Sequence, residues 1–114
     1  MPLLSVTTSA VIEAHQRSDL LNKLSQLVAA ELGKPERYVM VYYRHNPDML
    51  FAGSDEPLAY LELKSIGLPA DRTADISGIL TAFTSEQLAI PGDRIYIEFT
   101  NAQRHMWGWN GGTF

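Results

Sequence analysis

The feature that most constrains this chain is that it runs the same plan twice. Gly33–Val41 reads GKPERYVMV and Ala89–Ile97 reads AIPGDRIYI; both run proline, acidic residue, arginine, then β-branched and aromatic residues. A helical stretch precedes each junction, and a strand precedes each helix. Strand–helix–strand therefore recurs with a period of about 55 residues. In the first half, Pro2–Thr8 is a strand by its apolar and β-branched content. From about Glu13 to Leu32 the spacing turns helical, with Leu20, Leu24, Leu27, Val28 and Leu32 on one face. Gly33 and Pro35 stop that helix, and Arg37–Arg44 forms the second strand.

The second half repeats the order after a loop over His45–Pro57, where Asn-Pro and Gly-Ser pairs mark turns. Leu58–Gly67 is a strand, with Leu58, Tyr60, Glu62, Lys64 and Ile66 facing one way and Ala59, Leu61, Leu63 and Ser65 the other. Asp71 to about Ala89 is helical through Ile76, Ile79, Leu80 and Phe83, and Arg94–Thr100 is the closing long strand. Neither half, 1–55 or 56–114, is large enough to bury its own helix face, so the two pair within one domain spanning 1–114. The expected class is α+β: a four-stranded mixed sheet packed under two antiparallel helices, with short extra strands at the edge. One sheet face is then left uncovered, with Met40, Tyr42, Tyr60 and Tyr96 near it, which argues for a partner, most simply copies of the same chain.

Composition narrows the chemistry. Nine Lys and Arg stand against 13 Asp and Glu, a net charge of −4 with no basic run, which argues against nucleic acid as a partner. With 0 cysteines there is no disulfide, thiolate nucleophile or Cys-based zinc site. No apolar stretch approaches the roughly 20 residues of a membrane helix, and no secretory signal pattern opens the chain. A cytoplasmic location follows by default. His15, His45 and His105 are scattered without metal-ligand spacing, so no metal is expected. Asp55 and Glu56 read as loop solvation.

Other residues carry both a plain and a chemical reading. Pro2 opens a strand, where its missing N–H costs nothing. If Met1 is removed, the same residue becomes a free secondary amine able to act as a base. Lys34 sits just past a helix C-terminus, where the dipole favours a cation. Ser65-Ile66-Gly67 is a strand end with a turn glycine, and Tyr96 is a core or interface aromatic. Trp107 and Trp109 flank Gly108 in a short apolar strand or lid.

Taken together, these residues fall into a pattern. MP opens the chain, GKP closes the first helix at Gly33–Pro35, and FAGSDEP fills the loop at Phe51–Pro57. KSIG at Lys64–Gly67, DRIYI at Asp93–Ile97 and GWNGGTF at Gly108–Phe114 follow in register. Over its whole length the chain resembles the macrophage migration inhibitory factor branch of the tautomerase superfamily. The resemblance implies a homotrimer whose sheets surround a central channel, with a site at each subunit interface. It implies keto–enol tautomerisation of phenylpyruvate-like aryl 2-oxo acids, and of dopachrome-type substrates, without a cofactor.

The processed Pro2 is then the base. Lys34 and the strand end at Ser65 and Ile66 meet the substrate's polar end, Tyr96 comes from the adjacent subunit, and Trp109 and Phe114 line the pocket. A free α-amine titrates at about 7.7–8.0; burial and a nearby Lys34 both favour its neutral form, which is a usable general base at pH 7.

Four positions depart from the family pattern. Its Cys-x-x-Cys would fall at Leu58 and Leu61, which removes thiol–disulfide activity. Glu98 stands where well-known members carry asparagine; a carboxylate there repels an anionic substrate and raises the amine's pKa. Trp107 is bulkier than the usual small apolar residue and narrows the pocket. A weaker activity or a shifted substrate follows. The alternative implied by the same resemblance is a cytokine-like protein, binding a receptor and reaching it by non-classical secretion, with a vestigial pocket.

Overall fold

In the computed structural model, which describes Met1–Phe114, the first strand β1 covers Leu3–Thr8 and occupies the middle of the architecture. It pairs in parallel with β2 (Met40–His45) on one side and antiparallel with β3 (Ala59–Ile66) on the other. β4 (Ile95–Ala102) pairs in parallel with β3, giving the order β2-β1-β3-β4. Each parallel pair is bridged by a helix, α1 (Ala14–Leu32) in the first half and α2 (Thr73–Leu88) in the second. Because β1 and β3 run in opposite directions, so do the helices that follow them. The two strand–helix–strand units thus join into one mixed sheet, as the repeat predicts.

The pleat sorts the side chains. Leu4, Val6, Ala59, Leu61, Leu63 and Ile95 point to the helix side, where they meet Leu20, Leu24 and Val28 of α1 and Ile76, Leu80 and Leu88 of α2. All are buried in one cluster, and each fully buried leucine contributes about 2 kcal/mol of transfer free energy. The alternation expected along β3 holds in its middle, where Ala59, Leu61, Leu63 and Ser65 are buried and Tyr60, Glu62 and Lys64 partly open. Leu58 and Ile66, expected on the open face, are instead buried at its ends. On the far side of the sheet Met40, Tyr42 and Tyr96 are exposed. No helix is long and apolar enough to cross a membrane.

Element ends differ from the sequence reading in one recurring way. Pro35 and Pro91 each start a short 3-10 turn, Glu36–Tyr38 and Gly92–Arg94, before the strand begins. β2 therefore starts at Met40 rather than Arg37, and β4 at Ile95 rather than Arg94, extending to Ala102. A third 3-10 turn, Ala70–Arg72, precedes α2, which begins at Thr73 rather than Asp71. α1 opens on a capping box in which Gln16 Oε1 accepts the Glu13 N–H at 2.7 Å. It ends where Gly33 turns left-handed at φ 62°, and the Lys34 N–H bonds back to the Ala29 carbonyl at 3.0 Å. The extra short strands are β5 (Gly108–Trp109) and β6 (Gly112–Thr113), which pair with each other as a separate hairpin. Asn110 and Gly111 at its tip have φ of 50° and 80°, the type I′ geometry that Asn-Gly favours.

Candidate active site

Pro2 lies immediately before β1, and its carbonyl accepts the Met40 N–H at 3.0 Å, extending the parallel pairing by one residue. Its ring is buried. That position forms the floor of a cavity of about 370 Å³ between the start of β1, the Glu36–Tyr38 turn and the C-terminal hairpin. Eight of the 11 residues around it are hydrophobic, so the cavity favours an apolar occupant.

The aromatic wall is built from both ends of the chain. Trp109 stacks on Phe114 with ring centroids 5.4 Å apart and 15° between planes. Tyr38 meets both rings edge-on, at 5.7 Å and 5.8 Å. The tail is held in place by the Phe114 N–H bonding to the Trp107 carbonyl at 3.2 Å, and by Arg104 Nε donating to the Phe114 carbonyl at 3.2 Å. Such aromatic contacts add about 0.5–1.5 kcal/mol each beyond area burial. They also give the cavity an aromatic wall.

The electrostatics of the floor favour a neutral amine. The Met1 amine is held below its ordinary pKa of 8.0, chiefly by burial and then by the positive charge of Lys34. Lys34 is carried there by the C-terminal turn of α1, and its Nζ lies 3.9 Å from where a Gly67 Cβ would stand. Gly67 itself has φ +67°, the left-handed conformation that the turn requires and that glycine adopts without strain. Ser65 is fully buried and its hydroxyl donates to the Ile66 carbonyl at 3.2 Å.

The predicted site residues divide into two groups. Pro2, Trp107, Trp109 and Phe114 line the one cavity. Lys34 acts on the N-terminal amine from just beyond that lining. Tyr96 and Glu98 lie elsewhere. Tyr96 registers with Tyr60, which registers with Thr7, at the opposite end of β1 from Pro2. Five residues at ~3.3 Å each separate the two ends by about 16 Å along the strand, with β3 in between. Within one chain they do not meet Pro2. Glu98 is instead held by the Tyr60 hydroxyl at 2.7 Å, and the same hydroxyl lies 2.9 Å from Glu62. That hydroxyl is correspondingly harder to ionise, first through its bond to Glu98, then through burial, then through Glu62.

With that geometry in place, comparison with known proteins is decisive. The family model for macrophage migration inhibitory factor matches residues 1–114. The chain belongs to the macrophage migration inhibitory factor family. It is 36% identical over 115 residues to the macrophage migration inhibitory factor homolog of Trichinella spiralis, covering 100% of both proteins. Against the Xenopus tropicalis macrophage migration inhibitory factor it is 33% identical, covering 100% of this chain and 99% of the relative. Among solved structures it is similar to the homologue from Prochlorococcus marinus, with a TM-score of 0.92, 42% identity and 98% of each chain covered.

Seven of the 11 lining residues are not predicted as site residues by the sequence reading, Arg37 and Tyr38 among them. Placed in a strand, those two would alternate faces. The 3-10 turn after Pro35 carries both to the cavity rim. The signal was the repeat itself, since a proline followed within three residues by arginine marks a turn at both junctions.

Proposed function

We propose that the chain is a cofactor-independent keto–enol tautomerase of phenylpyruvate-like aryl 2-oxo acids, with Pro2 as the general base once Met1 is removed. The observation that carries this is Pro2 buried on the floor of an aromatic-walled cavity where the N-terminal amine is pushed toward its neutral form. Removal of Met1 frees a secondary amine there and vacates the part of the cavity that Met1 borders.

The neutral Pro2 nitrogen takes a proton from the carbon next to the ketone, and the electron pair moves onto the ketone oxygen. Lys34 stabilises the enolate charge as it forms. The proton is then delivered to that oxygen, giving the enol; ketonisation runs the same steps backwards. No oxidant, metal or cofactor enters the balance. Trp109, Phe114 and Tyr38 hold the aryl ring, and Ser65 with the Ile66 backbone borders the polar end. Tyr96 and Glu98 join the site only from a neighbouring copy, which supports a homotrimer. Glu98 brings a carboxylate that opposes an anionic substrate, and its bond to Tyr60 restrains it.

Protein whose mass shows loss of Met1 is expected to tautomerise phenylpyruvate. The same chain carrying one extra residue before Pro2 has an amide there, which is not basic, and is expected to be inactive. Equal turnover by both forms would remove Pro2 from the chemistry.

A further inference from the structure

Two side chains of opposite charge, one in each half of the proposed site, have no counter-charge within the chain. Arg37 stands exposed on the Glu36–Tyr38 turn at the cavity rim, its guanidinium over the Tyr38 ring, 4.7 Å from the centroid. Glu98 stands exposed on the edge strand β4, where the Tyr60 hydroxyl holds it at 2.7 Å. The ion pairs of the chain join Lys23 to Asp19, Lys64 to Glu62, and Arg72 to Glu31 and Asp75, so neither residue takes part in one. The Arg37 side chain makes no hydrogen bond within the chain, unlike Arg17, Arg72, Arg94 and Arg104, which donate to backbone carbonyls. A tyrosine steadies each charge, and neither charge is spent.

We infer that Arg37 of one copy pairs with Glu98 of the next, and that this bridge cancels the charge Glu98 otherwise sets against an acid. The inference rests on the proposed function, in which Glu98 enters the site at Pro2 from a neighbouring copy. Closing an aromatic-walled site around a carboxylate strips its water, and an unpaired charge there is costly. The counter-charge has to come from the copy that supplies Pro2. Arg44, the other arginine whose side chain makes no hydrogen bond, registers with Thr7, at the far end of β1 from Pro2. Lys34 keeps its place beside the amine and the polar end of the substrate. Arg37 is at the rim, open to a neighbour, and its planar fork of donors suits a carboxylate. Stacking on Tyr38 pre-orders it, so less rotamer freedom is lost when copies meet. Tyr60 does the same for Glu98, holding one carboxylate oxygen and leaving the other open.

The first test reads assembly and needs no turnover. Arg37→Glu and Glu98→Arg each set like charges against one another at every boundary of a ring built from that variant alone. Each is expected to fall apart on dilution at a concentration about tenfold or more above the parent's, read as molecular mass. Mixed in equal amounts, the two variants bring opposite charges together wherever unlike copies meet, and the assembly should recover. The chain carrying both changes should recover too. Both residues are exposed in the single chain, and recovery on mixing itself shows that each variant chain is folded. Single variants that assemble like the parent would overturn the inference. So would recovery in the doubly changed chain without recovery on mixing, which places the pair inside one chain. At the site, Arg37→Gln is expected to raise KM for phenylpyruvate about tenfold, and adding Glu98→Gln to bring it back. A KM raised equally with and without Glu98→Gln would overturn the cancellation. A parent that assembles and recovers in this pattern yet turns over nothing keeps the bridge and removes the tautomerase.

Discussion

In the proposed reaction a single amine decides what this cavity can do. At the N-terminus, burial and Lys34 both act against protonation, burial more strongly. Pro2 follows directly on Met1 in the same apolar cavity, so the same two causes are expected to bear on the Pro2 amine once it is exposed by processing. A base works only when neutral, so kcat/KM should rise with pH through the amine's pKa and level off above it. The midpoint of that rise is expected below pH 8, the ordinary value of an α-amine. Lys34→Gln removes the smaller cause and should move the rise toward higher pH, while burial keeps it below 8. A pH–rate series on the two proteins checks both the direction and the order of the causes. Tyr60 shows the opposite case, a hydroxyl kept protonated between two carboxylates. The sequence made Pro2 legible because nothing but position is needed to create a terminal amine. Arg37 was not legible, because which way its side chain points depends on a three-residue turn.

Elements place these residues, and here the repeat is informative and also uneven. Both halves use proline to start a 3-10 turn, and both helices end on a left-handed residue: Gly33 at φ 62° and Ala89 at φ 54°. The second copies of the motif have diverged in task. Arg37 is free at the cavity rim, whereas Arg94 ties down the loop before β3. It donates to the carbonyls of Phe51, Ser54, Glu56 and Pro57 at 2.8–3.2 Å and lies over the Phe51 ring. Phe51 in turn packs edge-on against Tyr96, with centroids 4.8 Å apart. Arg94→Ala leaves four carbonyls without their donor, and a loss of about 1–3 kcal/mol is expected. Thermal unfolding measures the loss, and limited proteolysis should locate new cleavage at 51–57. An unchanged melting temperature with no new cleavage would show that the loop holds without the arginine. The strands and helices themselves were read nearly in full from periodicity, because period 2 and period 3.6 are set by which side meets the core. Their ends were not, since 3-10 turns leave no apolar period.

At the scale of the whole molecule, one chain holds half of the proposed site. Pro2, Lys34 and the aromatic rings belong to one end of the sheet, Tyr96 to the other, and Glu98 lies on the edge strand β4, across β3 from the middle of β1. Met40, Tyr42 and Tyr96 stand exposed on the sheet face that the helices leave open. In the proposed homotrimer a ring of copies would cover that face and bring the two halves together across each boundary. The uncovered face was legible as soon as two helices were assigned to one side of four strands. How copies meet across it depends on the shape of the assembled surface, which no pattern along the chain encodes.

The most direct measurement is phenylpyruvate turnover by Met1-free protein beside Pro2→Gly, each paired with its mass by light scattering. The account predicts the same assembly mass for both, three times the chain's 12.7 kDa, and a kcat/KM lower in the variant by about 10²–10⁴, the usual worth of a positioned base. Undiminished turnover by Pro2→Gly, in an assembly of that same mass, would contradict it.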